Sequence, residues 1–162
     1  MKIRSLIRRF SFWQLFRLSG LMFQKPLLIF PTAKATKQTM IICNTLYGAT
    51  HHNNGKPNAF RHALWNVLIC QKTFRSTRNA NKSMIWAQKV TDLHEKLAPN
   101  KPLEEAMDLH NNALGRDYFM KLKNASEEEI ITFLEQRLCE AKVVETVKSV
   151  QENTSYLVYL SE

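Results

Sequence analysis

Apolar side chains recur at intervals of three and four residues along most of this chain, which is the period of one face of an α-helix. The pattern predicts helices over residues 58–74 and 83–97, a third that opens around Pro102, and a fourth from Ser126 that runs through Val144. A length of 162 residues is typical of one domain. The sequence therefore predicts an all-α fold with a single compact helical domain.

Two regions outside these helices are less regular. Residues 32–47 fit a helix or an extended segment, and the apolar tail 156–160 fits a packed end or a small strand. The segment 48–57 contains glycine, proline and two asparagines and is predicted to be a loop. Its adjacent His51 and His52 could bind metal or phosphate, but a solvated polar turn is the preferred interpretation.

The first thirty residues have a pattern of their own. One helix face would hold the apolar side chains Ile3, Leu6, Phe10, Trp13 and Phe16. It is flanked by the cations Lys2, Arg4, Arg8, Arg9 and Arg17. We therefore expect a basic amphipathic helical segment over 1–30 and a helical domain that carries the polar site over 31–162. The apolar stripe could pack on its own domain, which is the commoner case, or residues 1–25 could lie on an anionic membrane surface.

The same N-terminal region resembles a leader sequence, because a basic start precedes an apolar run and 33–35 has a small-x-small form. Arg17, Gln24 and Lys25 interrupt that run, whereas a membrane span needs about 20 nearly uncharged residues. We expect the segment to stay in the mature protein. The three widely spaced cysteines argue against disulfides and zinc knuckles, and predict a reducing compartment: Cys43, Cys70 and Cys139. The predicted location is cytoplasmic, with peripheral membrane contact possible.

Charge is divided unevenly along the chain. No aspartate or glutamate precedes Asp92, whereas fifteen lysines and arginines do, and the net charge is +9. This excess favours anionic partners such as a small anionic molecule or a lipid headgroup, although it could also serve solubility alone. Nucleic acid is a third option, but no helix-turn-helix or zinc-finger signature predicts specific recognition.

All five histidines lie between positions 51 and 110, and most chemically active side chains fall in the stretches 58–66, 92–95 and 107–112. Imidazole, carboxylate and carboxamide groups bind divalent metals and move protons near neutral pH. Because each stretch lies in a predicted helix, a shared polar site built from several helices is the leading hypothesis.

The first of these helices places His62 beside apolar bulk. One side of it would carry Asn58, His62, Trp65, Asn66 and Ile69. Arg61 projects from the neighbouring strip, within reach of the Trp65 ring. Asn58 is suited to be the N-cap of the helix.

The second helix is expected to direct His94 inward, because its stripe reads Trp86, Val90, His94 and Leu97. The neighbouring Glu95 could fix the tautomer of that imidazole or act as a ligand itself. Residue 98 is Ala98, which excludes the H-E-x-x-H motif of zinc proteases.

The third helix presents two adjacent stripes. The apolar one holds Leu103, Met107, His110, Leu114 and Tyr118. The polar one holds Asp108, Asn111, Asn112 and Gly115. Asparagine has poor helix propensity, so two of them on one face indicate a specific role. Gly115 marks a point where another backbone can approach closely.

Together these motifs resemble an uncharacterised bacterial domain family whose members include modules at the ends of polymorphic toxins. The resemblance rests on N-A-F-R-H-A-L-W-N at 58–66, D-L-H-E at 92–95 and M-D-L-H-N-N-A-L-G-R at 107–116, and covers about residues 48–120. The resemblance implies that six polar residues form one site, and it names no substrate: Arg61, His62, His94, Glu95, Asp108 and Asn112.

Two classes of function follow. The first is a hydrolase, with or without a bound metal, acting on a phosphoester or lipid-type anionic substrate. Its predicted catalytic residues are Arg61, His62, His94, Glu95, Asp108 and Asn112. A divalent metal, with zinc favoured, would be held by His62, His94 and Asp108, with His110 or Glu95 in support. A metal-free variant would use His62 or His94 as the base. The second class is a non-catalytic helical binding or membrane-surface module in which the same groups form a structural hydrogen-bond network.

Overall fold

A computed structural model describes residue 20, residues 25–97 and residues 100–161. Within these ranges the fold is all-α, as the periodicity predicts, and one short two-stranded sheet accompanies six α-helices. The helices are α1 Pro26–Tyr47, α2 Lys56–Thr77, α3 Ala80–Leu97, α4 Pro102–Leu122, α5 Glu127–Cys139 and α6 Val147–Gln151. The expected amphipathic helix at the N-terminus falls almost entirely on residues 1–19 and 21–24, which lie outside the described residues.

The helix α2 lies at the centre of the fold and packs against α1, α3, α4 and α5. It can do so because its large apolar side chains cover more than one face, and Phe60, Leu64 and Leu68 are fully buried. Among the described residues, no helix combines the length and the apolarity needed to cross a membrane. All three cysteines are free thiols.

Helices α2 and α4 approach each other closely at Gly115. A Cβ atom at this position would lie 2.4 Å from the Ala63 carbonyl oxygen and 2.8 Å from the Ala63 Cα. Only glycine therefore fits, as the sequence predicts. This contact brings the polar stripe of α4 directly against the side of α2 that carries His62.

The C-terminal region departs in part from the prediction. The capping box of Ser126 and Glu129 opens α5 as expected, but the helix ends at Cys139 and does not run through Val144. Residues 142–143 form β1, which pairs in parallel with β2 at 158–159, so the tail is a small strand. The Val144 amide donates to the Tyr159 carbonyl oxygen at 2.9 Å. Pairing with the tail thus takes these residues out of the helix.

Two predictions for the loop before α2 are wrong. Gly48–His52 forms a 3-10 helix in which His51 is fully buried, with its Nε2 2.9 Å from Asn44 Oδ1, so it is not a solvated turn residue. Asn58 is not the N-cap, because α2 begins at Lys56 after Gly55. Pro57 in the first turn favours this earlier start.

A groove runs between α1 and α3 over the surface of α2, with one cavity at each end. Two indole N–H groups bind α1 between the cavities, one from α2 and one from α3. Trp65 Nε1 donates to Thr36 Oγ1 and Trp86 Nε1 donates to Thr32 Oγ1, each at 2.8 Å. Because the two threonines lie one turn apart on α1, the bridges hold α1 in register with both of its neighbours.

Candidate functional site

Three helices bring an imidazole and two carboxyl groups together. His62 of α2, Glu95 of α3 and Asp108 of α4 each offer one ligand atom, and these atoms lie within 4.8 Å of one another. The three residues are 2%, 4% and 3% exposed, respectively. His62 Nε2 lies 3.3 Å from Asp108 Oδ1, and His62 Nδ1 lies 4.0 Å from Glu95 Oε1. This is a buried cluster with the composition of a metal or proton-transfer site.

The hydrogen bonds around His62 define its tautomer. Arg61 Nη2 lies 2.8 Å from His62 Nε2, and because a guanidinium only donates, Nε2 must accept. Nδ1 therefore carries the proton and donates to Asn112 Oδ1 at 3.1 Å. Asn112 Nδ2 donates in turn to Glu95 Oε1 at 3.3 Å, and Asn66 Nδ2 donates to Asn112 Oδ1 at 2.7 Å. The imidazole is thus neutral, with its lone pair directed towards Arg61 and Asp108.

Burial shifts the pKa of His62, Glu95 and Asp108 in the direction that favours the neutral form of each side chain. Desolvation, followed by the charge of Arg61, holds the pKa of His62 well below its ordinary value. Desolvation raises the pKa of Glu95 from 4.5 to about 7. Desolvation, followed by repulsion from Glu95, raises the pKa of Asp108 from 3.8 to about 7. Near pH 7 the two carboxyls together carry about one negative charge, which the Arg61 guanidinium balances.

One atom of the cluster lacks a hydrogen bond. Asp108 Oδ1 is buried and has no hydrogen-bond partner among the described residues, whereas Oδ2 accepts from Asn100 Nδ2 at 3.3 Å. A buried carboxylate oxygen without a partner is costly, and such atoms mark places where a proton or an ion completes the site. The free Oδ1 faces the His62 lone pair, so either species would sit between the two residues.

A cavity of about 140 Å³ leads from the surface to the His62 side of this cluster. Its lining is supplied by Thr36, Thr39, Met40, Arg61, His62, Trp65 and His94. His94 is exposed, and its ring stands edge-on to that of Trp65 at 5.2 Å. Desolvation and the Arg61 charge lower the pKa of His94, so it is a neutral imidazole at neutral pH.

The structure brings together five of the predicted site residues: Arg61, His62, Glu95, Asp108 and Asn112. His94 lines the cavity but does not belong to the group of ligand atoms. The expectation that it points inward is wrong, because Glu95 is the buried residue of α3 and His94 is exposed. His110 lies elsewhere, with its Nε2 2.9 Å from the Tyr156 carbonyl oxygen. The ligand-type atoms that lie within 4.8 Å of one another thus belong to His62, Glu95 and Asp108, and neither His94 nor His110 is among them.

Three residues join the cluster that the predicted set does not include. Asn66 links His62 to Asn112, and its Oδ1 accepts from Arg116 Nη1 at 3.3 Å. Asn100 reaches Asp108 from the connection between α3 and α4. Asn66 shares the His62 side of its helix in the sequence pattern, and Arg116 ends the motif at 107–116, so both had a signal in the sequence. Asn100 carries no comparable signal.

Fold and cluster together define a helical domain with a buried histidine–carboxylate site. Residues 19–142 match the model of the family described as Domain of unknown function (DUF6973), and the chain belongs to that family. No curated protein and no solved structure matches the chain. The expectation of an uncharacterised domain family is therefore confirmed, and any activity has to be argued from the site itself.

Proposed function

We propose that the protein is a hydrolase of an anionic ester, in which His62, Glu95 and Asp108 hold a divalent cation that activates water. The observation that carries this proposal is the convergence of their ligand atoms within 4.8 Å, nearly excluded from water, beneath a cavity that Arg61 lines. Catalytic zinc sites commonly use three protein ligands and keep one position open for water.

The donor atoms fit a small cation. Two ligands of a tetrahedral zinc ion, each about 2.1 Å from the metal, lie about 3.4 Å apart. The separation of His62 Nε2 and Asp108 Oδ1 is 3.3 Å. A dication would supply the missing partner of Asp108 Oδ1 and would lower the pKa of both carboxyls. One nitrogen and two carboxylates suit zinc and also manganese, and zinc remains favoured.

Arg61 has a distinct role in this proposal. Its guanidinium lies 2.8 Å from His62 Nε2, the atom that would bind the cation, so it must move when the cation enters. It also lines the cavity, where it can pair with the anionic group of a substrate. Without the cation, Arg61 would thus donate a hydrogen bond to His62 Nε2. With the cation bound, it would pair with the anionic group of the substrate. The neutral His94 at the cavity can accept a proton from water.

The lining of the cavity supports an anionic ester with an apolar part as the substrate. A phosphoester or a lipid-type ester would place its anionic group on Arg61 and its apolar part against Met40 and Trp65. The predicted resemblance to modules at the ends of polymorphic toxins would be compatible with a hydrolytic activity. The resemblance to toxin modules stays a prediction.

The test is metal binding by chelator-stripped protein, titrated separately with zinc and manganese in a calorimeter. We expect about one equivalent for the wild type and for Asp117→Asn, an exposed change on the same helix as Asp108. Asp108→Asn and His62→Ala should bind at least about 100-fold more weakly while staying folded. Hydrolysis of chromogenic phosphodiester and carboxylic ester probes should follow metal occupancy. Equal binding by Asp108→Asn and Asp117→Asn would contradict the proposal.

A second candidate is a non-catalytic module in which the cluster is a structural network. The observation that favours it is the saturation of the amides, since Asn66 and Asn112 are both hydrogen-bonded within the cluster and Arg61 already covers His62 Nε2. Such networks can fix helix packing without a ligand. Absence of metal binding, together with unfolding of both His62→Ala and Asn112→Ala, would support this candidate over the hydrolase.

A further inference from the structure

The second cavity of the groove lies at the opposite end from His62, where α1 begins and α2 ends. Its volume is about 450 Å³. Its apolar lining includes Leu27, Ile85 and Trp86, and the first two are unusually exposed for their type, at 82% and 56%. Phe30, one turn after Leu27 on α1, is 76% exposed. Neighbouring exposed apolar side chains of this size mark an interaction surface.

The charged residues that line this cavity with the apolar side chains are all cations. Lys25, Lys82 and Lys89 line the same cavity. No carboxylate precedes Asp92 in the chain, so α1, α2 and the part of α3 at this cavity contain none. Glu95 and Asp108 lie at the other end of the groove. The apolar end is therefore complementary to an anionic and amphiphilic partner.

The segment that precedes this surface in the sequence is also basic and contains no acidic residue. Residues 1–24 contain five cations and no acid, and they join the described fold at Lys25, beside Leu27. If this N-terminal segment covered the cavity, its cations would face the three lysines at a cost in free energy. An anionic lipid surface has the opposite charge and can take up the apolar side chains as well.

We propose that this end of the groove docks the protein on an anionic membrane. Leu27, Phe30 and Ile85 enter the boundary between headgroups and acyl chains, and Lys25 and Lys82 contact the headgroup phosphates. This docking surface does not depend on the activity proposed for the His62 cluster, because the two use opposite ends of the groove.

Sedimentation of the full chain with vesicles tests the proposal, using pure phosphatidylcholine and an equimolar mixture with phosphatidylglycerol. We expect binding to the mixture alone, weakened by salt. Leu27→Ser combined with Phe30→Ser should lower the partition coefficient on the order of 100-fold, because two large apolar side chains are lost. Ile41→Ser, which removes an exposed apolar side chain elsewhere on α1, should change it less than about threefold.

The contribution of charge is tested in the same assay. Lys25→Gln combined with Lys82→Gln should lower binding to the mixture on the order of 20-fold, since each lysine near an anionic surface contributes about a fivefold gain. Lys121→Gln, an exposed change on α4, serves as the control.

Three results would each overturn the proposal. The first is equal binding to both vesicle types, and the second is binding that survives the Leu27→Ser and Phe30→Ser changes. The third is that the wild type binds neither vesicle type and that the double variant Leu27→Ser, Phe30→Ser unfolds at a lower temperature than Ile41→Ser. The last result would show that other parts of the same chain cover Leu27 and Phe30.

Discussion

Replacing Glu95 by glutamine should stabilise the metal-free protein, and the gain should depend on pH. Glu95 is only 4% exposed, and burial raises the pKa of its carboxyl from 4.5 to about 7. Glutamine has nearly the same shape, and its Oε1 can still accept the hydrogen bond from Asn112 Nδ2. The substitution therefore removes the buried charge and keeps the contact.

The magnitude follows from the pKa. A rise from 4.5 to about 7 corresponds to about 3 kcal/mol of folding free energy, which is an upper limit for a coupled pair. The folded state holds the Glu95 proton more tightly than the unfolded state does. The free energy of unfolding of the wild type therefore falls by this amount as the pH rises from 4.5 to about 7. Glu95→Gln should match the wild type at about pH 4 and exceed it by about 2 to 3 kcal/mol at about pH 8.

Urea denaturation at both pH values, in the presence of a chelator, measures this difference. Glu145→Gln is the matched control, since Glu145 is exposed and its substitution should change the free energy of unfolding by less than about 0.5 kcal/mol. A Glu95→Gln protein that is less stable than the wild type at about pH 8 would refute the reasoning, because it would mean that the ionised carboxylate is favourably paired in the empty site.

Adding zinc should then reverse the order. A cation bound to Glu95 stabilises the ionised carboxylate, and a metal concentration about 1,000 times the Kd adds about 4.1 kcal/mol to the stability of the wild type, more than the advantage of the empty variant. The Glu95→Gln protein should gain much less. A variant that is more stable when empty and unresponsive to metal would identify Glu95 as a ligand rather than a structural group.

Three further predictions concern the scaffold. Gly115→Ala should lower the free energy of unfolding by at least about 3 kcal/mol in urea denaturation, because the new Cβ would meet the Ala63 carbonyl oxygen at 2.4 Å. Ser126→Ala should cost about 1 kcal/mol in the same assay through loss of the helix cap. Asn111→Ala should speed amide hydrogen exchange in the C-terminal strand, since Asn111 holds Val158 by two hydrogen bonds, at 2.8 and 3.0 Å. A Gly115→Ala protein as stable as the wild type would contradict the close helix contact, and unchanged exchange in Asn111→Ala would contradict the anchoring of the strand.

The parts of the fold that could be predicted rest on local signals. Helix periodicity identified the main helices, the Ser126–Glu129 box identified the start of α5, and Gly115 marked a point of close backbone approach without naming the partner helix. Each of these features depends on residues within one or two turns of one another. The sequence within such a window is enough to define them.

The inward face of α3 could not be predicted in this way. Bulk apolar residues suggested a stripe through Val90 and His94, but the small side chains of Ser83, Ala87 and Thr91 face the core, and Glu95 continues their line. Small residues allow α3 to approach its neighbours closely. A pattern based on hydrophobicity alone does not detect this contribution to packing. The predicted orientation of α3 about its axis was therefore off by one residue. His94 was expected at the inward position that Glu95 occupies.

The hydrogen-bond network is a second feature beyond local signals. Asn112 contacts His62 from a different helix, fifty positions along the chain, and Asn100 meets Asp108 from a connecting segment. The residue types were predictable, but the pairing of donors with acceptors depends on how α2, α3 and α4 pack. Tertiary structure alone provides that information.

The two ends of the α1–α3 groove suggest how the separate proposals could be connected. Leu28 lines the lysine-rich cavity and Thr39 lines the cavity at His62, and eleven residues of helix between them span about 16 Å. A membrane docked at the first cavity would hold the second within reach of the headgroup layer rather than of the acyl chains. If both proposals hold, the ester that the site cleaves should lie at the headgroup level of an anionic lipid, and vesicles should compete with soluble ester probes. Competition that persists in the Leu27→Ser and Phe30→Ser protein would separate the two functions, because it would show that substrate binding does not need the docking surface.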